Sequence, residues 1–359
     1  MIKSLTSLRF LFALFVFVSH TGRFLKHLPG GTEFYNAYFK EGYLGVSFFF
    51  ILSGFVMSYS YKERIVNGLV SYKEFMIARF ARIYPLHFLT LLLSLPVSLN
   101  FLLNAKLLTK TIVFFCHLFL IQAFFPQETF FLSFNGPSWS ISTEMFFYVL
   151  FPIVFTLFRR GRKYFLFAAL VVVSMIIYFI VHNNEKLVHS IFYINPTIRL
   201  LDFLLGIFLF ELYSLIKKKQ NLMKYLGNSW SEIFAVSFFV LIYLFHKDIP
   251  QVLRYAAYYW LPMILIILVF SLQGGFLSNA LSKKAFVYLG EISFSFYLFH
   301  QLLFGYMENY IVNDSWLMKF PVVFIVGCFF MTILISMVSF NYFEKPVNKF
   351  IKRKFIHEQ

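Results

Sequence analysis

The chain has 359 residues, of which 60% are hydrophobic, 22% aromatic and 13% charged, and its mean hydropathy is +0.73. This composition excludes an ordinary soluble domain and predicts a polytopic integral membrane protein. The net charge of +16 does not indicate a nucleic-acid partner, because lysine and arginine gather in the cytoplasmic loops of membrane proteins. Cys116 and Cys328 lie in apolar runs without metal-ligand spacing, so the sequence predicts no metal site.

Eleven apolar windows have about the length of a membrane-crossing helix, which is roughly 20 residues. In chain order these candidate spans are 5–26, 43–61, 84–104, 111–126, 140–158, 164–182, 197–216, 230–246, 255–272, 286–306 and 318–342. No internal repeat or linker divides them, so we predict one all-α helical bundle in the membrane.

Charge in the connections predicts the orientation of these spans, because basic loops stay in the cytoplasm. The basic connections run from Lys62 to Arg82, from Arg159 to Lys163, from Lys217 to Lys224, through Lys283 and Lys284, and from Lys345 to Lys354. The less basic connections 183–196, 247–254 and 307–317 are assigned to the outside. Three candidates separate Arg82 from Arg159, and an odd number of crossings cannot return the chain to the cytoplasm. Since 111–126 is the shortest, we predict that it does not cross, which leaves about ten transmembrane helices with both termini cytoplasmic.

The first span contains two ionisable residues, Arg9 and His20, separated by ten residues that are almost all apolar. Eleven helical positions make about three turns and a rise of roughly 16 Å, so the two side chains share one face of the helix. Ionisable residues inside a membrane are costly and usually face a polar cavity or a partner. We therefore interpret this pair as the main functional signal in the chain.

Arg79 and Arg82 lie three residues apart before the third span. On a helix they are neighbours on one face, where two guanidinium groups can hold a multiply charged phosphate. The alternative is a pair of charges that only fixes the topology at the membrane edge. The sequence leaves both interpretations open.

Glu144 and His300 are isolated polar residues in apolar spans. Glu144 is either a charge stabilised by the helix dipole or a member of a polar site, in which it orients a histidine or receives a proton. His300 is either a satisfied core histidine or a catalytic group. Asp202 follows Arg199 by three residues, and a local ion pair is the plain interpretation.

Taken together, the motifs of the chain resemble those of the membrane-bound acyltransferase family 3. In family order they are Arg9-x10-His20, Gly45-Val-x-x-Phe-Phe-x-Leu-Ser-Gly-Phe55, Arg79-x-x-Arg82-Ile-Tyr-Pro85, Trp139-Ser-Ile-Ser-x-Glu144, Tyr297-Leu-x-His300 and Glu344-Lys-Pro346. Many relatives have an acid where this chain has Ser47, and a second acid where it has Met145. No part of the sequence resembles the hydrolase-like domain that some members append.

The resemblance implies a membrane domain over 1–345, followed by a basic cytoplasmic tail over 346–359. It implies transfer of an acyl group, often acetyl, from a cytoplasmic acyl-CoA to a sugar or a lipid-linked glycan in the plasma (inner) membrane of a bacterium, with no permanently bound cofactor. Arg9, Arg79 and Arg82 are then expected to bind the phosphates of coenzyme A. The rise from Arg9 to His20 matches the scale of an extended pantetheine arm, which would bring the thioester toward His20.

His20 is the first candidate for the catalytic group, either as general base or as transient acyl carrier, with Glu144 orienting it or binding the acceptor and His300 as the next candidate. Two other classes of function stay open. One is a transporter or flippase for an anionic lipid-linked sugar, and the other is a membrane scaffold in which Arg9 and His20 only bridge helices.

Overall fold

The computed structural model describes residues 2–159, 163–310 and 320–356, in which helices are the only regular structure. This confirms the all-α prediction for the described residues. The helices are α1 Lys3–Ser19, α2 Gly22–Leu25, α3 Gly31–Tyr38, α4 Gly45–Val66, α5 Tyr72–Ser94, α6 Leu99–Asn104, α7 Leu107–Leu118, α8 Glu128–Leu132, α9 Ser138–Arg159, α10 Lys163–Val181, α11 Glu185–His189, α12 Pro196–Lys218, α13 Gln220–Leu226, α14 Ser229–Leu244, α15 Gln251–Arg254, α16 Ala257–Leu272, α17 Phe276–Leu281, α18 Lys284–Tyr310, α19 Pro321–Ser339 and α20 Lys345–Phe355.

Five stretches in the described residues are long and apolar enough to cross a membrane, and a sixth qualifies if the bent pair α13 and α14 forms one span. The five are Lys3–Leu25, Gly31–Ile65, Tyr72–Ser94, Gln251–Leu272 and Pro321–Phe355. The chain is therefore a multi-pass membrane protein by the length and composition of its helices. The count of ten crossings and the cytoplasmic position of both termini stay predictions. Arg160 and Arg162 of the second basic connection lie outside the described residues, as do most of the less basic connection 307–317 and the end of the tail.

The third predicted span, 84–104, starts later in the sequence than the helix that it overlaps. The helix α5 starts at Tyr72, because Ser71 and Glu74 form a capping box in which the Ser71 hydroxyl accepts a hydrogen bond from the Glu74 backbone N–H. Arg79 and Arg82 thus lie within this helix rather than in a connection before it. The helix ends at Ser94, ten residues before the predicted end.

The fourth predicted span contains only the 12-residue helix α7. Such a helix is about 18 Å long, whereas the hydrocarbon core of a bilayer is about 30 Å thick. After this helix the chain turns at Leu120, which has a left-handed φ of 57°. The choice of 111–126 as the segment that does not cross stays a prediction, for which the short length of α7 is the physical reason.

The first of two compact units comprises residues 1–62, 202–294 and 318–325. Its helix α1 is fixed by two serine hydroxyls, since Ser4 donates to the Phe270 carbonyl at 2.7 Å and Ser7 to the Leu281 carbonyl at 2.5 Å. Phe12 of the same helix stacks on Phe48 of α4 with ring centroids 3.6 Å apart. The first helix is thus the packed centre of this unit.

The second unit comprises residues 63–201, 295–317 and 326–359. Here α5 packs against α9 and against α20. The predicted basic tail is thus helical from its beginning to Phe355, and it lies along α5. This arrangement brings the C-terminal basic residues to the helix that carries Arg79 and Arg82.

Candidate active site

The six predicted site residues divide between the two units. Arg9 and His20 belong to the first unit, and Arg79, Arg82, Glu144 and His300 belong to the second.

His20 is the residue that ends α1. Its backbone has φ −94° and ψ 0°, and its N–H donates to the carbonyl of Phe17. A ring N–H of His20 also donates to the carbonyl of Val16, one turn earlier. Because a neutral imidazole carries one N–H, this bond leaves the other ring nitrogen as a proton acceptor. The side chain is half-buried at this helix end. Arg9, also half-buried, lies on the same helix.

The short helix α2 brings a cation near His20. The charge of Arg23, three residues further on, acts on the His20 ring, and its guanidinium lies 6.0 Å from the Phe24 ring centroid. The ring of Tyr35 in α3 covers this turn, because the Tyr35 hydroxyl donates to the Ser19 carbonyl at 2.6 Å. A Cβ atom at Gly22 would collide with that ring, so a glycine is needed where the two pack. Arg23 and Tyr35 were not among the residues that the sequence predicted for the site.

In the second unit, Arg79 and Arg82 are half-buried on α5. The Arg79 guanidinium lies over the ring of Tyr148 at 5.8 Å from its centroid, a cation–π arrangement between α5 and α9. The packing of these helices therefore holds Arg79 in place and leaves it partly exposed.

Glu144 lies in the second turn of α9, where its carboxylate accepts a hydrogen bond from the Tyr148 hydroxyl. The helix dipole acts mainly within the first turn. Of the two interpretations of this residue, the position thus favours membership of a polar site. Tyr148 connects it to Arg79 by its hydroxyl and its ring.

Two of the sequence motifs meet around Ser140 and Tyr297. The Ser140 and Tyr297 hydroxyls are 2.8 Å apart, and each oxygen also lies within hydrogen-bond distance of the Pro137 carbonyl. The Asn135 amide donates to the Leu298 carbonyl at 3.1 Å, so the start of α9 is fastened to α18 at two points. All of these side chains are buried.

His300 follows on the same helix in a fully buried position surrounded by aromatic rings. Its ring lies 5.9 Å from that of Tyr297 and 6.4 Å from that of Phe296, measured between centroids. This setting is that of a packed core histidine.

Two further polar groups are explained by packing. The Asp202 carboxylate accepts a hydrogen bond from the indole N–H of Trp260, while its pairing with Arg199 stays a prediction. The buried Glu41 forms an ion pair with Arg254 and accepts hydrogen bonds from the Tyr259 hydroxyl at 2.8 Å and the Tyr43 hydroxyl at 3.0 Å. The second network went unnoticed in the sequence because its members come from two distant parts of the chain. Its groups bond one another, as in a structural network.

Known proteins similar to this chain agree with the motifs. The sequence model of a family described as "Acyltransferase domain" matches residues 2–340. The acyltransferase MdmB of Streptomyces mycarofaciens is 30% identical over 329 residues, which cover 85% of this chain and 79% of that protein. The O-acetyltransferase OatA of Staphylococcus aureus strain NCTC 8325 / PS 47 is 26% identical over 333 residues, which cover 86% of this chain and 53% of that protein. A putative O-acetyltransferase of S. aureus strain COL has the same identity and coverage. The chain thus spans about half the length of the S. aureus relatives. No solved structure matches it.

Proposed function

The chain belongs to the acyltransferase family, and from that premise we propose that it transfers an acyl group, such as acetyl, from a cytoplasmic acyl-CoA to a hydroxyl group of a carbohydrate or lipid-linked glycan. The proposal places the reaction in the plasma membrane of a bacterium. The observation that carries it is the half-buried His20 ring at the end of α1, held by a hydrogen bond to the Val16 carbonyl.

In the proposed reaction His20 is the general base. The acceptor hydroxyl oxygen attacks the thioester carbonyl carbon while its proton passes to the His20 ring. The carbon–sulfur bond then breaks, and the coenzyme A thiolate takes the proton from His20. The reaction therefore needs only the two substrates and leaves the histidine neutral at its end.

A negative charge develops on the thioester oxygen as the hydroxyl attacks, and a cation nearby lowers the energy of that transition state. We assign this role to Arg23, because its charge already acts on the ring of His20. Tyr35, which covers the same turn, is assigned a positioning role.

The donor phosphates are assigned to Arg79, Arg82 and Arg9. Guanidinium groups bind phosphate oxygens with paired N–H donors. Arg79 and Arg82 are half-buried on one helix, so their donors are held in place and partly accessible. The support for Arg9 is its half-buried position on the helix that ends at His20.

Glu144 is assigned to the acceptor, whose hydroxyl groups its carboxylate can bind. The Tyr148 hydroxyl occupies one carboxylate oxygen and orients the group. His300 is the alternative base. Its buried position among aromatic rings, however, favours a structural role.

The test compares His20→Ala with His27→Ala, a matched variant of an exposed histidine seven residues further on. Membranes that contain each variant receive radiolabelled acetyl-CoA, and the label is measured in their glycan and lipid fractions. A general base contributes about 10²- to 10⁴-fold, so we expect His20→Ala to lose at least about 100-fold and His27→Ala to match the wild type. Wild-type transfer by His20→Ala would exclude His20 as the base and make His300 the next variant to test.

A further inference from the structure

The C-terminal helix α20 has one packed face. Its half-buried positions are Val347, Asn348, Ile351 and Lys352, which recur at the spacing of a single helical stripe. The other basic residues of this helix are exposed or nearly so: Lys345, Lys349, Arg353 and Lys354. Lys352 is thus the basic residue of this helix that the fold turns inward.

The neighbour of this face is α5, the helix of Arg79 and Arg82. Lys352 lies close enough to both arginines for their charges to act on its ammonium group. All three side chains are half-buried and belong to the second unit. The packing of the two helices therefore gathers three positive charges in one place.

The segment before α20 fixes this arrangement. The buried carboxylate of Glu344 accepts hydrogen bonds from the hydroxyls of Ser295 and Ser339, and it ends the π-helical turn Phe340–Glu344. The Lys345 ammonium lies over the Phe340 ring at 4.5 Å from the centroid. The contacts of the Glu344-Lys-Pro346 motif thus fix the start of α20, the helix whose Lys352 faces α5.

Three like charges in a partly buried position repel one another more strongly than they would in water. A ligand with two or more negative charges attracts all three cations and so offsets their mutual repulsion. Two guanidinium forks and one compact ammonium suit the oxygens of phosphate groups, which the forks bind in pairs and the ammonium binds as a point charge.

We infer that Lys352 joins Arg79 and Arg82 in a binding site for a multiply charged phosphate ligand. This inference deepens the proposed function and rests on it for the identity of the ligand, the nucleotide phosphates of the acyl-CoA donor. An anionic lipid headgroup presents the same chemistry, and the experiment separates the two sources.

The experiment measures binding by calorimetry to the purified full-length chain in neutral detergent. The probes are coenzyme A, adenosine 3′,5′-bisphosphate and short-chain phosphatidylglycerol. The variants are Lys352→Ala, Lys352→Arg and the control Lys349→Ala, which removes an exposed lysine from the same helix. Thermal unfolding of each variant shows that it is folded.

We expect coenzyme A and the bisphosphate to bind Lys352→Ala at least about tenfold more weakly than the wild type, while Lys349→Ala stays within about twofold. Lys352→Arg keeps the charge and should recover most of the affinity. If Lys352→Ala and Lys349→Ala bind coenzyme A equally well, the inference is wrong, although the proposed function survives provided that the wild type binds it.

The measurements with phosphatidylglycerol separate the remaining outcomes. Phosphatidylglycerol binding that depends on Lys352, together with no coenzyme A binding by the wild type, would support the phosphate site and contradict the proposed donor. A wild-type chain that binds none of the three probes would overturn both. A folded His20→Ala variant is expected to lose transfer and to bind coenzyme A as the wild type does. That result would support the base and the phosphate site independently of each other.

Discussion

Tyr148 donates its hydroxyl hydrogen to the carboxylate of Glu144, one turn earlier on the same helix, while the Arg79 guanidinium lies over its ring. One side chain therefore contacts a residue assigned to the acceptor and a residue assigned to the donor. The hydroxyl and the ring make these two contacts separately, so a substitution can remove one contact and keep the other.

The Tyr148→Phe variant removes the hydroxyl and keeps the ring under Arg79. A hydrogen bond to a charged group contributes about 1.5–3 kcal/mol, so we expect transfer to fall by roughly 10-fold or more, with coenzyme A binding unchanged. Steady-state rates and calorimetry measure the two quantities. Tyr342→Phe is the control, since Tyr342 is 81% exposed. A variant with full activity would show that the hydrogen bond to Glu144 has no part in transfer.

The contact between Ser140 and Tyr297 predicts a coupling between two sequence motifs. In a double-mutant cycle, Ser140→Ala and Tyr297→Phe each remove one hydroxyl of a buried pair that is 2.8 Å apart. Groups in direct contact show interaction energies of about 0.5–3 kcal/mol, so we expect the two losses in the free energy of unfolding to be non-additive. Strict additivity would mean that each hydroxyl is satisfied by the Pro137 carbonyl alone.

The fold was predictable where the sequence pattern is local. The helical class follows from composition, and the Ser71 to Glu74 spacing is a capping-box pattern that marks the start of α5. The apolar windows missed this start because Arg79 and Arg82 lower the local hydropathy, although a helix continues through them. Where α7 ends was also hidden, because the turn at Leu120 has no glycine or proline to mark it.

The candidate site was predictable only for residues that are rare in their surroundings. Arg9, His20 and Glu144 stand out because each is an isolated ionisable group in an apolar window. Tyr148 is one of 22 tyrosines, and Lys352 is one of 32 basic residues, so neither is distinctive in the sequence. Their roles depend on which helices pack together, and spacing along the chain does not contain that information.

The close approach of α4 and α12 in the first unit predicts that adding a single methyl group at their contact destabilises the fold. A Cβ atom at Gly54 would collide with the Phe203 carbonyl, and one at Gly206 with the Ile51 carbonyl. Small residues that let helices approach in this way are common in membrane proteins. Since forced overpacking costs about 1–3 kcal/mol, we expect Gly54→Ala to lower the thermal unfolding temperature by several degrees.

The control for that substitution is Gly327→Ala on α19, where no described atom outside the adjoining helix backbone lies within 4 Å of the added methyl group. It should unfold at the wild-type temperature or slightly above, because alanine favours helix more than glycine does. Equal unfolding temperatures for Gly54→Ala and Gly327→Ala would contradict the packing of α4 on α12.

His189, which ends α11, predicts a dependence of stability on pH. Burial lowers the pKa of His189 below its ordinary value of 6.5, and the charge of Glu128 opposes this shift in part. The folded protein then binds fewer protons than the unfolded chain between the lowered pKa and 6.5, so stability decreases as the pH falls through that range. At pH 7.5 the histidine is neutral in both states and has no such effect.

We therefore expect His189→Gln to unfold at a temperature less sensitive to pH than that of the wild type, with the two proteins compared at pH 7.5 and pH 5.5 in detergent. The nearby His182→Gln is the matched control, because His182 is exposed at the end of α10. Its unfolding temperature should change with pH as the wild type's does. If His189→Gln keeps the full acid sensitivity, that sensitivity comes from other groups, and the aromatic contacts of His189 with Phe131 and Tyr193 stabilise the loop without regard to its protonation.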